Sequence, residues 1–183
     1  AVRAGVCAVL CAPQFLLLNR EQEVDDYILA SRLSYFLWSS MPDAPLLELA
    51  AADKLRDPDV LAAQVERMLK DPRARALGDN FAAQWLNLRN LAEVEPKPEL
   101  FAEFNEQLRQ DMAQETLHFF NSLVSEDRPV TEFLNADYTF VNRRLSQFYG
   151  LEEVDTDEFT RVSLAGTNRA GVLTHASILT LTS

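Results

Sequence analysis

Between Tyr27 and Trp38 the chain reads YILASRLSYFLW, a dozen residues that are apolar or small except for Arg32. A helix that is apolar on all sides belongs inside a protein, and a charge placed within it needs a partner. The segment is therefore expected to be a central core helix. Its serines, Ser31 and Ser34, read as small residues on a packed surface. No Gly-x-Ser-x-Gly elbow surrounds them, so a nucleophile role has no support. Trp38, Tyr35 and Phe36, with Trp85 further on, could line a pocket. Aromatics at helical spacing more often build core, and that is the expectation here.

Helix starts are legible along the rest of the chain. Asp57-Pro58 and Asp71-Pro72 each place a capping carboxylate before a proline at the first helical position. Asp43, Lys97-Pro98 and Arg128-Pro129 mark three further starts. Leu61, Val65, Met68 and Leu69 form one apolar stripe, and Leu77, Phe81, Trp85 and Leu88 another. The longest helix is expected from Glu99 to Val124, with Phe101, Phe104, Leu108, Met112, Phe119 and Leu123 on one face. Tyr138 to Tyr149 reads as a helix closed by Gly150 in a left-handed cap. Residues 158–164 alternate and read as one short strand or extended arm, the acidic stretch before them as an exposed loop, and Gly171 to Thr180 as a last helix. The pattern predicts an all-α fold, a single helical domain over residues 1–183 with about seven to nine helices.

Composition narrows the function classes. A formal charge of −11 argues against nucleic-acid binding, because a phosphate backbone demands a basic face. Cys7 and Cys11, four apart, sit on one helical face where a disulfide is geometrically poor, so both are expected as buried free thiols. There is no Cys-x-x-Cys-His, hence no c-type haem attachment within this chain. AVRAGVCAVLCAP has one basic residue and a proline at the would-be cleavage point, which favours a core helix over a signal peptide. No 18-residue apolar run spans a membrane. The ends read as those of a fragment of a longer multidomain protein.

Few residues suggest chemistry. Glu115 and His118 form a Glu-x-x-His pair, the spacing that di-metal carboxylate bundles use, but such a site needs a second pair and two more carboxylates. They are weak metal candidates, and no catalytic residue is assigned. Glu115 also falls inside the apolar stripe of its helix, as Arg32 does on its own. Two opposite charges so placed are most economically partners, so a buried Arg32–Glu115 ion pair is expected. Asp25-Asp26 and the acidic run at Asp155 to Glu158 lack EF-hand spacing and read as solvated faces.

Several strings together resemble one family. They are ASRLSYFLWSSMPD (Ala30 to Asp43), Asp71-Pro72-Arg73 with Gln84-Trp85-Leu86, ETLHFF (Glu115 to Phe120), NADYTFVNRRL (Asn135 to Leu145) with Tyr149-Gly150, and AGVLTHASILTLTS (Ala170 to Ser183). They are similar to the planctomycete and verrucomicrobial domain of unknown function DUF1592, found in large proteins beside cytochrome c-type domains. The resemblance implies a module of an exported, extracytoplasmic and redox-linked protein, with other domains of the same polypeptide as partners. It implies haem c only in a neighbouring domain and brings no catalytic residue. The expected role is a non-catalytic scaffold or interaction module, which an acidic face could dock onto a basic partner. The alternative is one wall of an active site completed by neighbouring domains.

Overall fold

The computed structural model describes residues 24–97, 99, 101–151 and 154–182, together with residues 3, 7, 11 and 12. Helices dominate. From residue 24 on they are, in chain order, α1 (Asp26–Trp38), α2 (Ala44–Ala51), α3 (Pro58–Leu69), a 3₁₀ turn (Pro72–Ala74), a π-helical turn (Leu77–Ala82) running into α4 (Ala83–Trp85), a 3₁₀ stretch (Leu88–Glu93), α5 (Glu106–Ser125), α6 (Glu132–Asn135), α7 (Arg143–Tyr149) and α8 (Ala176–Thr182). Two short strands, β1 (Tyr138–Val141) and β2 (Thr160–Ser163), pair antiparallel with Tyr138 opposite Ser163.

The capping carboxylates act as their positions dictate. Asp43 accepts from the Leu46 amide, Asp57 from Asp59 and Val60, and Asp71 from Arg73. Each satisfies backbone donors that a helix start leaves unpaired. The long helix departs from expectation: it begins at Glu106, because the Asn105 side chain takes the Leu108 amide at 2.9 Å and fixes the start there.

The expected helix from Tyr138 is also corrected. Tyr138–Val141 is a run of aromatic and β-branched residues that pairs with β2, and Asn142 then caps α7 through the Leu145 amide. Gly150 closes α7 at φ 63°, as a left-handed cap. The arm near residues 158–164 is β2, and the last helical segment divides into a 3₁₀ turn (Val172–Thr174) and α8.

The central element is α5, not α1. Among the described residues three apolar clusters make up the core, and α5 contributes to each: Phe120 to the first, Leu108 and Met112 to the second, Phe119 and Leu123 to the third. Burying side chains of this size contributes about 2 kcal/mol each. On α1 the buried residues, Asp26, Ala30, Ser34, Leu37 and Trp38, form a single stripe, while Tyr27, Tyr35 and Phe36 are about half exposed at 51%, 49% and 56%. Its apolar composition therefore overstates its burial. Cys7 and Cys11 are exposed free thiols, not buried ones. The rest of AVRAGVCAVLCAP, expected to be a core helix, lies outside the described residues, as do the expected start at Pro98 and part of the acidic stretch.

Of the Asp25-Asp26 pair, Asp25 is exposed as expected and Asp26 is not. Asp25 caps α1 through the Ile28 amide at 2.7 Å. Asp26 is buried, accepting from the Leu55 amide at 2.6 Å and from Arg56 Nε at 2.5 Å. It ties α1 to the turn before α3. Removing a buried acceptor strands the Leu55 N–H, so Asp26→Ala should cost about 2–3 kcal/mol in urea unfolding, and Asp26→Asn, which keeps an acceptor, distinctly less.

A second tie surrounds Trp38. Its Nε1 donates to the Met68 carbonyl at 2.9 Å, and the Arg73 guanidinium lies 3.5 Å from its ring centroid. Arg67 grips Asp43 through two nitrogens at 2.8 and 3.1 Å. Burial pushes the Asp43 carboxyl up, but the Arg67 hydrogen bond and the Leu46 amide outweigh it and hold the group below the usual carboxylate value.

Candidate functional site

The most concentrated polar chemistry lies inside the fold, around Glu115. Five elements converge there. α5 supplies Glu115 and Thr116, β1 supplies Thr139, the end of α7 supplies Tyr149, the turn before α8 supplies His175, and α8 supplies Ser177. The turn owes its shape to Gly171 at φ 54°, whose amide donates to the Ala136 carbonyl at 3.0 Å. Arg169, in the preceding loop, donates to the Thr174 carbonyl at 2.7 Å.

Glu115 is 1% exposed and both its oxygens are used. Thr139 donates to Oε1 at 2.6 Å, and the Tyr149 hydroxyl donates to Oε2 at 2.5 Å. That hydroxyl in turn accepts from the Ala176 amide at 2.8 Å. His175 Nε2 lies 3.5 Å from Thr139 Oγ1 and 3.9 Å from Glu115 Oε1. On the other side of the ring, Nδ1 is 2.9 Å from Thr116 Oγ1, itself 2.8 Å from Ser177 Oγ.

Electrostatics assigns the protons. Burial lowers the His175 pKa to about 3, with Arg169 adding to the effect, so the ring is neutral. Burial raises Glu115 to about 7, although the Thr139 and Tyr149 hydrogen bonds and the Arg169 charge pull the other way. Burial and the neighbouring Glu115 charge push the Tyr149 phenol well above its ordinary value, so it stays a donor. When Glu115 is ionised, Thr139 gives its only hydroxyl proton to it, and His175 then carries its proton on Nε2. Its Nδ1 then accepts from Thr116, which accepts from Ser177. The arrangement can hold one proton on a buried carboxyl at neutral pH.

A cavity of about 580 Å³ lies against this cluster. Phe104, Met112, Phe148, Arg169, Ala176 and Leu179 are among its walls. Arg169 stands between the two, with its guanidinium 3.7 Å from the Tyr149 ring centroid.

Glu115 meets these partners and not Arg32. The expected Arg32–Glu115 ion pair is replaced because two hydroxyls satisfy the carboxylate and Arg169, not Arg32, supplies the acting charge. Nor does Glu115 join His118. The His118 ring stacks on Phe159 at 4.8 Å and Phe140 at 6.1 Å, and burial lowers its pKa. Among the described residues no group of three or more His, Cys, Asp and Glu could hold a metal ion. The histidine beside Glu115 is His175, which sequence spacing passes over because Val172, not a carboxylate, precedes it by three. The signal available was its place in an otherwise apolar segment.

Of Tyr35, Phe36, Trp38 and Trp85, Trp38 alone is buried. Phe36, Phe81 and Trp85 are 56%, 43% and 57% exposed. They touch in a row: Phe36 to Phe81 at 5.9 Å, Phe81 to Trp85 at 5.8 Å, Trp85 to Phe133 at 5.3 Å. The π-helical turn at Leu77–Ala82 alters the helical spacing, so Leu77 and Leu88 stay buried while Phe81 and Trp85 turn outward. No helix among the described residues is long and apolar enough to cross a membrane.

The family model described as PSD4, a protein of unknown function (DUF1592), matches residues 24–151. The chain belongs to the DUF1592 family. Neither the curated proteins nor the solved structures include a match to it. The match to DUF1592 spans α1 to α7 and includes Glu115, Thr116, Thr139 and Tyr149, while Arg169, His175 and Ser177 lie beyond it.

Proposed function

We propose that this DUF1592 domain is a non-catalytic helical scaffold or interaction module of a larger exported, redox-linked protein, holding neighbouring domains of the same polypeptide in place. The observation that carries this reading is the state of the Glu115 cluster. Its carboxylate, imidazole and hydroxyls bond one another within the core, with Glu115, Thr116, His175 and Ser177 at most 1% exposed. A catalytic group must reach its substrate, directly or through one water. The surface offers instead the exposed aromatic row of Phe36, Phe81 and Trp85, the kind of contiguous apolar patch that marks a protein contact. Its occupant in this reading is a neighbouring domain, with any haem c attached there and the whole assembly outside the cytoplasm.

Trp85 fluorescence tests the proposal. Mixing the chain with the remainder of the parent polypeptide should shift emission to the blue as Trp85 is covered, and Trp85→Ser should weaken association at least tenfold. Contact through the row should persist in high salt; contact through the charge of −11 would weaken as salt rises. No association, or turnover by the chain alone, would overturn the reading. The cavity beside Arg169 favours a second one, in which the chain forms one wall of an active site completed by its neighbours. Loss of the parent's turnover on Arg169→Gln, with association intact, would select it.

A further inference from the structure

We propose that the cavity between α5, α7 and α8 binds a small amphipathic carboxylate, with the anionic head on Arg169 and the apolar body against Phe104, Met112 and Phe148. The cavity of about 580 Å³ falls within the range of small-molecule sites, roughly 300–1,000 Å³. Its walls combine what such sites combine: aromatic and aliphatic side chains with one well-placed cation.

The cation is preorganised. Arg169 is fixed on one side by the Thr174 carbonyl and lies against the Tyr149 ring. None of the ion pairs among the described residues includes it. A planar guanidinium held this way presents its remaining N–H groups to a carboxylate without further ordering. Two other charges line the cavity, Glu95 and Lys97, and they oppose each other, so Arg169 sets the sign of the site. The site is separate from the aromatic row and does not depend on the scaffold reading.

Titration calorimetry on the whole chain, with decanoate as probe and decanol as its uncharged counterpart, tests the assignment. Decanoate should bind at one saturable site at least tenfold more tightly than decanol. Arg169→Gln should remove that difference while leaving decanol binding unchanged. Where Arg169→Gln fails to fold, the decanoate–decanol comparison on the unaltered chain still decides. Equal affinity for the two probes, no saturable decanoate binding, or full decanoate affinity in folded Arg169→Gln would each overturn the proposal.

Discussion

Gly171→Ala should lower the stability of this domain by on the order of 4 kcal/mol, from two costs that add: backbone strain of about 1–3 kcal/mol and overpacking of similar size. Gly171 has φ 54° and ψ −174°, a combination that only glycine adopts readily. A Cβ built there would lie 2.4 Å from the carbonyl carbon and oxygen of Leu134. Those are backbone atoms of α6, so the clash cannot be relieved by rotating a side chain. The same turn sets His175 against Glu115 and Arg169 against Tyr149, so the polar cluster should loosen with it. Gly150→Ala is the control. Gly150 also has positive φ, at 63°, but nothing lies within 4 Å of an added Cβ; its cost should be near 1–2 kcal/mol. Urea unfolding of both variants measures the difference. Equal losses would mean that α6 yields and the close approach is not a constraint.

The second large effect is a pH dependence written into the core. The folded state raises the Glu115 pKa from 4.5 to about 7, so it binds a proton that the unfolded chain releases earlier. That contribution is fully present below pH 4.5 and is lost as pH rises through about 7. The loss is on the order of 3 kcal/mol. His175 acts in the opposite sense. Its folded pKa is depressed from 6.5 to about 3, so its contribution is present above pH 6.5 and is lost as pH falls below it. Between pH 4.5 and 6.5 the two offset each other, and the bare stability profile is muted. Glu115→Gln removes one of them. The stability difference between the unaltered chain and Glu115→Gln should therefore fall by about 3 kcal/mol from pH 4.5 to 8, measured by urea unfolding across that range. A difference that stays constant with pH would show that Glu115 titrates normally and that water reaches it.

Local chemistry made much of this legible. Asp57 and Asp71, each followed by proline, and Asp43, two residues before Pro45, cap the starts they announce, because a capping bond spans two or three residues and needs nothing distant. Gly150 ends α7 for the same reason. The apolar stripe of α5 follows from a period that a single helix carries by itself. Where distant residues decide, the sequence alone misleads. Tyr138–Val141 has a composition that either a helix or a strand could bury, and pairing with β2 chooses the strand. Phe81 and Trp85 fit a helical stripe until the π-helical turn shifts their phase.

The charges divide along the same line. That Glu115 sits on a core-facing position is written in the spacing of α5, and so is its need for a partner. Which partner is not. Arg32 was equally well placed by periodicity, but periodicity gives a residue's angle on its own helix and says nothing of which helix faces it. The fold instead brings Thr139, Tyr149 and His175, residues 24, 34 and 60 positions further along, to one carboxylate, and leaves Arg169 over the Tyr149 ring. The family and the helical character of the chain were determined by sequence. The sealed cluster, the cavity beside it and the exposed aromatic row were decided only by tertiary packing, because each is made of contacts between segments that no local pattern relates.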